Sequence, residues 1–498
     1  MRIDDDLKYF ETPEFKRILE TYEAAVSEGR SVYMDADELT DIAEYYSMVA
    51  HDDASADEAI ALALQLHPDA VDPQIFQARQ AMIQGDNQRA LDLCNAIEDQ
   101  EHREVFFLRA ELMVRQGQGD QARQLLLTQA EEVTEDYDYF LFDSAYIFID
   151  YQDYQSALAF AEKLEQIAPI WFKTWELCAD VYLALESFKK ALGYIERMLD
   201  KDAYYVSAWN WRAEAYCGLQ DMEKAFASTD FALAIDPDND RALELKAWIL
   251  MRQENFEEAH QLYQQLQERV PESEIHCLYD SFCLFDLGRM DDSLELILRA
   301  EQLADGMSAE LPAIYEHHAH ILSEQGKVEE ALRYIDLAEE AQGLDPEEVA
   351  PGEVRQDFDY YRARILADNG DSQSAIGYIE RIAQKGREDV PSIILQGAQI
   401  LFEASDYASA RELLNIVINQ EVDIPEERLV RAYPYMAACL HELGESQECL
   451  DYLRLSIEHN SPETSEILSY IFPVGVQPAE YYDYYYFNLY GRWPDSGE

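Results

Sequence analysis

The densest group of side chains able to do chemistry is Glu316, His317, His318, His320 and Glu324. On a helix Glu316, His320 and Glu324 stand four apart on one face with His317 beside them, and imidazole with carboxylate can ligate a divalent metal. The commoner fate of such a run is a charged helix surface, with His318 at an interior position and Glu316 and His320 on a solvated face. No metal is therefore expected. Seven cysteines (94, 178, 217, 277, 283, 439 and 449) form no Cys-x-x-Cys pair, which gives no sign of a zinc site or a redox couple. Most lie in amphipathic patterns, as Cys178 does in Trp175–Ala179, and are expected to be small, buried, reduced hydrophobes. The signatures of serine hydrolases, zinc proteases, P-loops and EF-hands do not occur. His441-Glu442 is followed by Glu445 where a zinc protease needs histidine, and Gly117-Gln118-Gly119 lacks the rest of a nucleotide fingerprint. With 101 acidic residues in 498, pairs of carboxylates carry no information about acid–base catalysis. The expectation is a non-catalytic chain without a cofactor.

Charge narrows the partners. The chain has 38 basic and 101 acidic residues, a net of −63, which repels nucleic acid and anionic membrane and favours basic or apolar partners. A hydrophobic content of 48% with 12% aromatics supplies a core and argues against disorder. No apolar stretch is long enough to span a bilayer, and the opening Met1–Asp6 lacks a signal-peptide core, so a cytoplasmic location is expected.

The element that must position these residues is a repeat. Asp153-Tyr154-Gln155-Ser156-Ala157-Leu158 returns around Ala191, Ala225, Ala259 and Ser293, four consecutive steps of 34 residues. Sixteen positions before each of the first four anchors stands a large residue (Leu141, Trp175, Trp209, Leu243), and twelve before it a small one (Ala145, Ala179, Ala213, Ala247). Pro169, Pro237 and Pro271 follow three of the anchors by twelve. Spacings of 3, 4 and 7 make one face of a helix, small residues let two helices cross closely, and proline stops the second. Further anchors fall at Ala90, Ala122, Ala331, Ala375, Ala410 and Cys449, with a degenerate one near Ala59.

This pattern resembles the tetratricopeptide repeat, a 34-residue helix–turn–helix unit, over nearly the whole chain. The resemblance implies an all-α, right-handed superhelical solenoid of about twelve repeats. The expected division is capping helices over 1–52, an array over 53–342 with regular repeats at 138–305, and a linker or bend at 343–352. Repeats over 353–461 follow, then an aromatic-acidic C-terminal cap over 462–498. Eight aromatics crowd residues 480–493, expected to cover the last helix pair; the alternative is a flap over the groove.

In this family the first helices of successive units line a concave surface that holds peptides or helices. With the small anchor as position 20, positions 2, 5, 9 and 12 face that groove. The implied partner-binding residues include Tyr139, Phe142, Tyr146, Glu176, Asp180, Asn210, Glu214, Arg241, Trp248, Leu278, Phe282 and Phe285. Acidic residues at positions 5 and 9, such as Glu176, Asp180 and Glu214, depart from the lysines with which some members clamp a chaperone's C-terminal carboxylate, and speak against that ligand. The stretch 163–252 holds 11 basic and 15 acidic residues, the least acidic part of the chain. The expected function is a scaffold that binds a protein or peptide with apolar anchors and basic flanks. The alternative is a regulatory sensor whose aromatic tail gates the groove.

Overall fold

A computed structural model of the protein describes residues 9–133, 135–306, 308–343, 358–385, 390–419, 426–459 and 464–494. From residue 344 onward, the expected bend at 343–352 lies outside the described residues. Among the described residues all regular structure is helical. The contacts divide the chain into two units, 1–249 and 250–498. The first holds α1 (Pro13–Ser27), α2 (Ala36–Met48), α3 (Asp53–Leu66), α4 (Val71–Ile83), α5 (Asn87–Ala96), α6 (Arg103–Arg115) and α7 (Gly119–Ala130). It continues with α8 (Tyr137–Asp150), α9 (Tyr154–Ile167), α10 (Phe172–Ala184), α11 (Phe188–Lys201), α12 (Val206–Gly218) and α13 (Met222–Ile235). The division falls inside α14 (Asp240–Arg252). The second unit holds α15 (Phe256–Arg269), α16 (Glu274–Asp286), α17 (Met290–Leu303), α18 (Leu311–Glu324), α19 (Val328–Ala341), α20 (Phe358–Asp368) and α21 (Ser372–Lys385). It ends with α22 (Val390–Glu403), α23 (Tyr407–Ile418), α24 (Glu426–Glu442), α25 (Ser446–Glu458), α26 (Thr464–Leu468) and α27 (Tyr481–Tyr490).

Within each unit consecutive helices pair as hairpins, and the second helix of one packs on the first of the next. Each unit is thus an α-solenoid of helical repeats. The anchors Ala157, Ala191, Ala225, Ala259 and Ser293 are fully buried, as are Ala145, Ala179, Ala213 and Ala247 twelve residues earlier. No side chain longer than alanine's or serine's fits at these crossings, which is why the sequence returns to small residues every 34 positions.

Two local devices set the hairpin turn. Five residues before each regular anchor the backbone takes a left-handed conformation, at Gln152, Glu186, Gln220, Glu254 and Gly288. The same position is Gly85, Gly117, Gly326, Gly370, Ser405 and Gly444 in the other repeats, so glycine serves where it occurs and longer residues accept about 1–2 kcal/mol of strain elsewhere. One residue later an aspartate often caps the second helix: Asp86, Asp153, Asp221, Asp371 and Asp406 each accept a backbone N–H three residues on, at 3.0–3.3 Å. By both marks the degenerate repeat is anchored at Ala56 rather than near Ala59. His51 is left-handed and Asp52 accepts from Ser55 N–H at 3.1 Å; both alanines are buried, so burial alone could not separate them.

The ends are closed by aromatics. Phe15 of α1, capped by Thr12, is fully buried against Phe10 and Tyr45, with ring centroids 4.8 and 5.4 Å away. At the other end α27 packs on α25, the second helix of the last hairpin. Tyr481, Tyr485 and Tyr486 are buried there, Tyr481 stacks on Phe472 at 4.0 Å, and Tyr485 Oη lies 3.0 Å from His441 Nδ1. The aromatic tail therefore covers the last hairpin.

Candidate functional site

In the first unit the groove residues fall into two groups. Tyr139, Phe142 and Tyr146 form an aromatic cluster with Trp171, which ends the loop before α10. Tyr139 and Phe142 lie 5.0 and 5.8 Å from Trp171, and Phe142 lies 4.8 Å from Tyr146. Phe142 is buried, Tyr146 half-buried and Tyr139 exposed. The Lys173 ammonium stands over Tyr139 and Phe142, 5.5 and 5.2 Å from the ring centres. The polar residues tie one repeat to the next. Buried Glu176 accepts a 2.5 Å hydrogen bond from Tyr205 Oη, and buried Asn210 donates from Nδ2 to Asn239 Oδ1 at 2.9 Å. Both bonds span 29 residues, reaching from a first helix to the loop before the following one. Glu214 pairs with Arg241 at 3.2 Å near the surface. Asp180 and Trp248 are half-buried.

The second unit builds a cavity from the same positions. Leu278 is in the core, whereas Phe282 and Phe285 are half-buried and lean on imidazoles. Phe282 lies 4.0 Å from the His317 ring, and Phe285 lies 4.6 Å from that of His320. Beside them opens a cavity of about 410 Å³. Its apolar wall is Phe282, Ala313, Ile335, Tyr361 and Ile365; its polar groups are Glu316, His317, His320, Arg364 and Asp368. Three successive first helices, α16, α18 and α20, supply all of these but Ile335. His317 Nε2 is 3.0 Å from Ser281 Oγ, and burial pushes its pKa down to about 3. Desolvation also lowers His320 and raises the Asp368 carboxyl, although both residues keep an exposed edge. Arg364 is ion-paired with Glu403.

The histidine run of α18 thus divides. His318 is interior as its register implied, hydrogen-bonded to Glu301 and 3.9 Å from the Tyr334 ring. His317, expected only beside the surface cluster, is buried too, and lines the cavity with Glu316 and His320. Among the described residues no set of three or more His, Cys, Asp or Glu side chains is arranged to hold a metal. One buried acid–imidazole pair remains. His260 Nδ1 donates to Asp280 Oδ1 at 2.5 Å, Gln267 Nε2 donates to Asp280 Oδ2 at 2.9 Å, and Arg289 Nη1 faces His260 Nε2 at 3.2 Å. The guanidinium stands where a nucleophile would have to be, so the pair braces α15 against α16. The cysteines are free, and all but half-buried Cys217 are buried. Burial pushes Cys178, Cys283 and Cys439 up to about 12, far from thiolate reactivity.

A second cavity, about 260 Å³, lies on the first-helix face near the N-terminus between α2, α4 and α6. Asp37, Asp41, Glu44, Asp72 and Glu104 surround Arg79, which is held by Glu111 at 3.1 Å and Glu104 at 3.5 Å.

Sequence profiles described as tetratricopeptide repeat match residues 218–279 and, for a second profile, 179–240 and 318–390. The chain is a tetratricopeptide-repeat protein. A profile described as ChAPs (Chs5p-Arf1p-binding proteins) matches 79–198 of the same repeat array. No curated protein sequence matches the chain. Among solved structures, a tetratricopeptide-repeat protein from Parabacteroides merdae is 19% identical, covering 49% of this chain and 94% of its own with a TM-score of 0.41. The human IFIT1 dimer with m7Gppp-AAAA is 13% identical, covering 78% and 90% with a TM-score of 0.45. YrrB, a TPR protein with an unusual peptide-binding site, is 16% identical, covering 37% and 92% with a TM-score of 0.30.

In tetratricopeptide-repeat register both cavities become readable. Phe282, His320 and Arg364 each stand eleven residues before their anchors (Ser293, Ala331 and Ala375), and Glu316 stands fifteen before Ala331. Asp72 and Glu104 stand eighteen, and Arg79 and Glu111 eleven, before Ala90 and Ala122. The groove positions named from the sequence cover only the five regular repeats. Carried to the outer anchors, the same rule names Glu316, His320, Arg364 and Arg79, which sequence reasoning missed as groove residues.

Proposed function

We propose that the chain is a non-catalytic, cytoplasmic scaffold that binds a protein or peptide along the concave first-helix face, through apolar anchors with basic flanks on the partner. The observation that carries this reading is the cavity on α16, α18 and α20: three repeats contribute, its wall is aromatic and aliphatic, and it lies at the register positions the family uses for ligands. Membership of the tetratricopeptide-repeat family agrees with a protein or peptide as the class of ligand. The net charge of −63 supports a basic flank and speaks against nucleic acid and anionic membrane. Among the described residues no helix is long and apolar enough to cross a membrane. The tail's place on the last hairpin favours a scaffold over a tail-gated sensor, because the rings that would gate a groove are buried at Tyr481, Tyr485 and Tyr486.

The test is capture from native lysate with the intact chain and with Phe282→Ala/Phe285→Ala, both checked for unchanged helicity. The expected result is a partner held by the first and lost by the second. A partner held equally by both would move the site off this face. Removal of 479–498 should lower stability and leave the partner bound with unchanged affinity; a gain in binding would restore the sensor.

A further inference from the structure

His317 is only 3% exposed, yet it lines the cavity between α16, α18 and α20. Its Nε2 lies 3.0 Å from Ser281 Oγ, and that hydroxyl donates to Ser293 O at 2.9 Å. Ser281 Oγ is thus left to accept, which puts the proton of the neutral ring on Nε2 and a lone pair on Nδ1. Among the described residues no hydrogen bond of the chain reaches Nδ1, and it is not one of the polar atoms shut away from solvent without a partner. The open space at this ring is the cavity, so the lone pair is available there. Phe282, 4.0 Å away, and Phe285, 5.6 Å away, hold the ring in place.

The rest of the cavity asks for apolar surface and not for charge. Ala313, Ile335, Tyr361 and Ile365 complete the wall beside Phe282. His320, Arg364 and Asp368 keep contact with water. Arg364 pairs with Glu403, its charge acts on Asp368, and Glu316 is engaged within the chain. An aliphatic occupant would strip water from Nδ1 and give no donor back. A charged occupant would leave water for a wall of hydrocarbon and rings. A tryptophan or tyrosine side chain meets both demands, because its flat apolar body carries one N–H or O–H at the edge. At about 410 Å³ the cavity lies in the lower part of the range of ligand pockets, about 300–1,000 Å³.

We infer that this cavity is a subsite for one donor-bearing aromatic side chain of a peptide partner, tryptophan or tyrosine, with its ring against Phe282, Tyr361 and Ile365 and its N–H or O–H on His317 Nδ1. This rests on the scaffold reading and gives one apolar anchor of the partner a residue type. His317 is then a specificity-determining residue, which tells tryptophan and tyrosine from leucine and phenylalanine.

The experiment is selection of a displayed library of random seven-residue peptides on the full chain, followed by binding of the selected peptides to it and to Phe282→Ala/Phe285→Ala. Expected are peptides with tryptophan or tyrosine at one fixed position, whose binding is lost on the phenylalanine variant. Each is then remade with the donor removed and the shape kept, benzothienylalanine for tryptophan or phenylalanine for tyrosine. That change should weaken binding to the intact chain about tenfold. The comparison alters the ligand alone, so no folding defect can mimic it. On His317→Phe, checked for helicity and unfolding temperature, the tenfold difference should vanish, because the ring remains and the acceptor is gone. Aliphatic or charged residues at the fixed position, equal affinity for the donor-less peptides, or a difference that persists on His317→Phe would each overturn this inference; with loss on the phenylalanine variant, the scaffold reading would still stand. Peptides unaffected by the phenylalanine variant would overturn the scaffold reading at this face, and this inference with it. No enrichment on the intact chain would count against both.

Discussion

Eleven residues before the anchor, the first helices of the N-terminal repeats carry Arg79 and Glu111, and those of the second unit carry Phe282, His320 and Arg364. The first set closes on itself. Arg79 bridges Glu111 and Glu104, so the guanidinium of this cavity is already engaged within the chain. The regular repeats behave likewise fifteen before the anchor, where Glu176 and Asn210 hold the loops of following repeats and Lys173 covers the aromatic cluster at Tyr139 and Phe142. In the second unit the same face leaves about 410 Å³ open against aromatic and imidazole rings. One repeat geometry thus supports two uses of a groove position, bracing the array or leaving room for a ligand. Which use applies depends on whether the next repeat, in its first helix or in the loop before it, offers a partner within reach.

The largest effect should come from attacking what the two units share. Ala225 is fully buried where α12 crosses α13. Ala225→Arg must insert a long side chain and a charge there, at an expected cost of about 3 kcal/mol or more. Urea unfolding followed by circular dichroism should show a clear fall in midpoint, while Glu223→Gln, exposed two residues earlier, should shift it by less than about 0.5 kcal/mol. Equal midpoints for the two variants would mean that the small residue every 34 positions does not mark the crossing.

That crossing was legible because it is a local, strictly periodic demand: alanine or serine is the only solution at Ala157 through Ser293, and the 34-residue step repeats it. The left-handed turn residue was not, since Gln152, Glu186, Gln220 and Glu254 give no hint of positive φ where glycine is absent; the signal is carried by the aligned Gly85, Gly117, Gly288, Gly326, Gly370 and Gly444 of other repeats. The fates of Glu176 and Leu278 were hidden for another reason. Register places both on the groove side, but burial depends on Tyr205 and on the neighbouring helices, which lie far along the chain. The cavity was half legible: Phe282 follows from the regular repeats, whereas Tyr361 and Arg364 sit in a repeat displaced by the longer spacing between Ala331 and Ala375.

A smaller effect separates the units by pH. His317 is buried with its pKa pushed down to about 3 from an ordinary value of 6.5. The unfolded chain therefore binds a proton that the folded second unit refuses. The stabilisation is complete above about pH 6.5 and is lost as pH falls from there towards 3, by on the order of 2 kcal/mol at about pH 4.5. His317→Gln keeps a group able to meet Ser281 and does not titrate, so its stability should fall less steeply over that window. Parallel pH profiles for the two proteins would mean that His317 is protonated at no cost and that the cavity wall is wetter than its packing indicates.

The smallest effect tests whether Glu176 braces the array or greets a partner. Its hydrogen bond from Tyr205 ties α10 to the loop before α12, and loss of a charge-assisted bond of this kind costs about 1–2 kcal/mol. Glu176→Ala should lower the unfolding midpoint of the first unit by that amount, Glu176→Gln by less because an acceptor remains, and Tyr205→Phe should match the alanine variant with little further loss in the double variant. Peptide binding at Phe282 should be indifferent to all three. If Glu176→Ala instead weakened binding at unchanged stability, the brace would not explain its burial, and the polar groove positions of the first unit would join the ligand site.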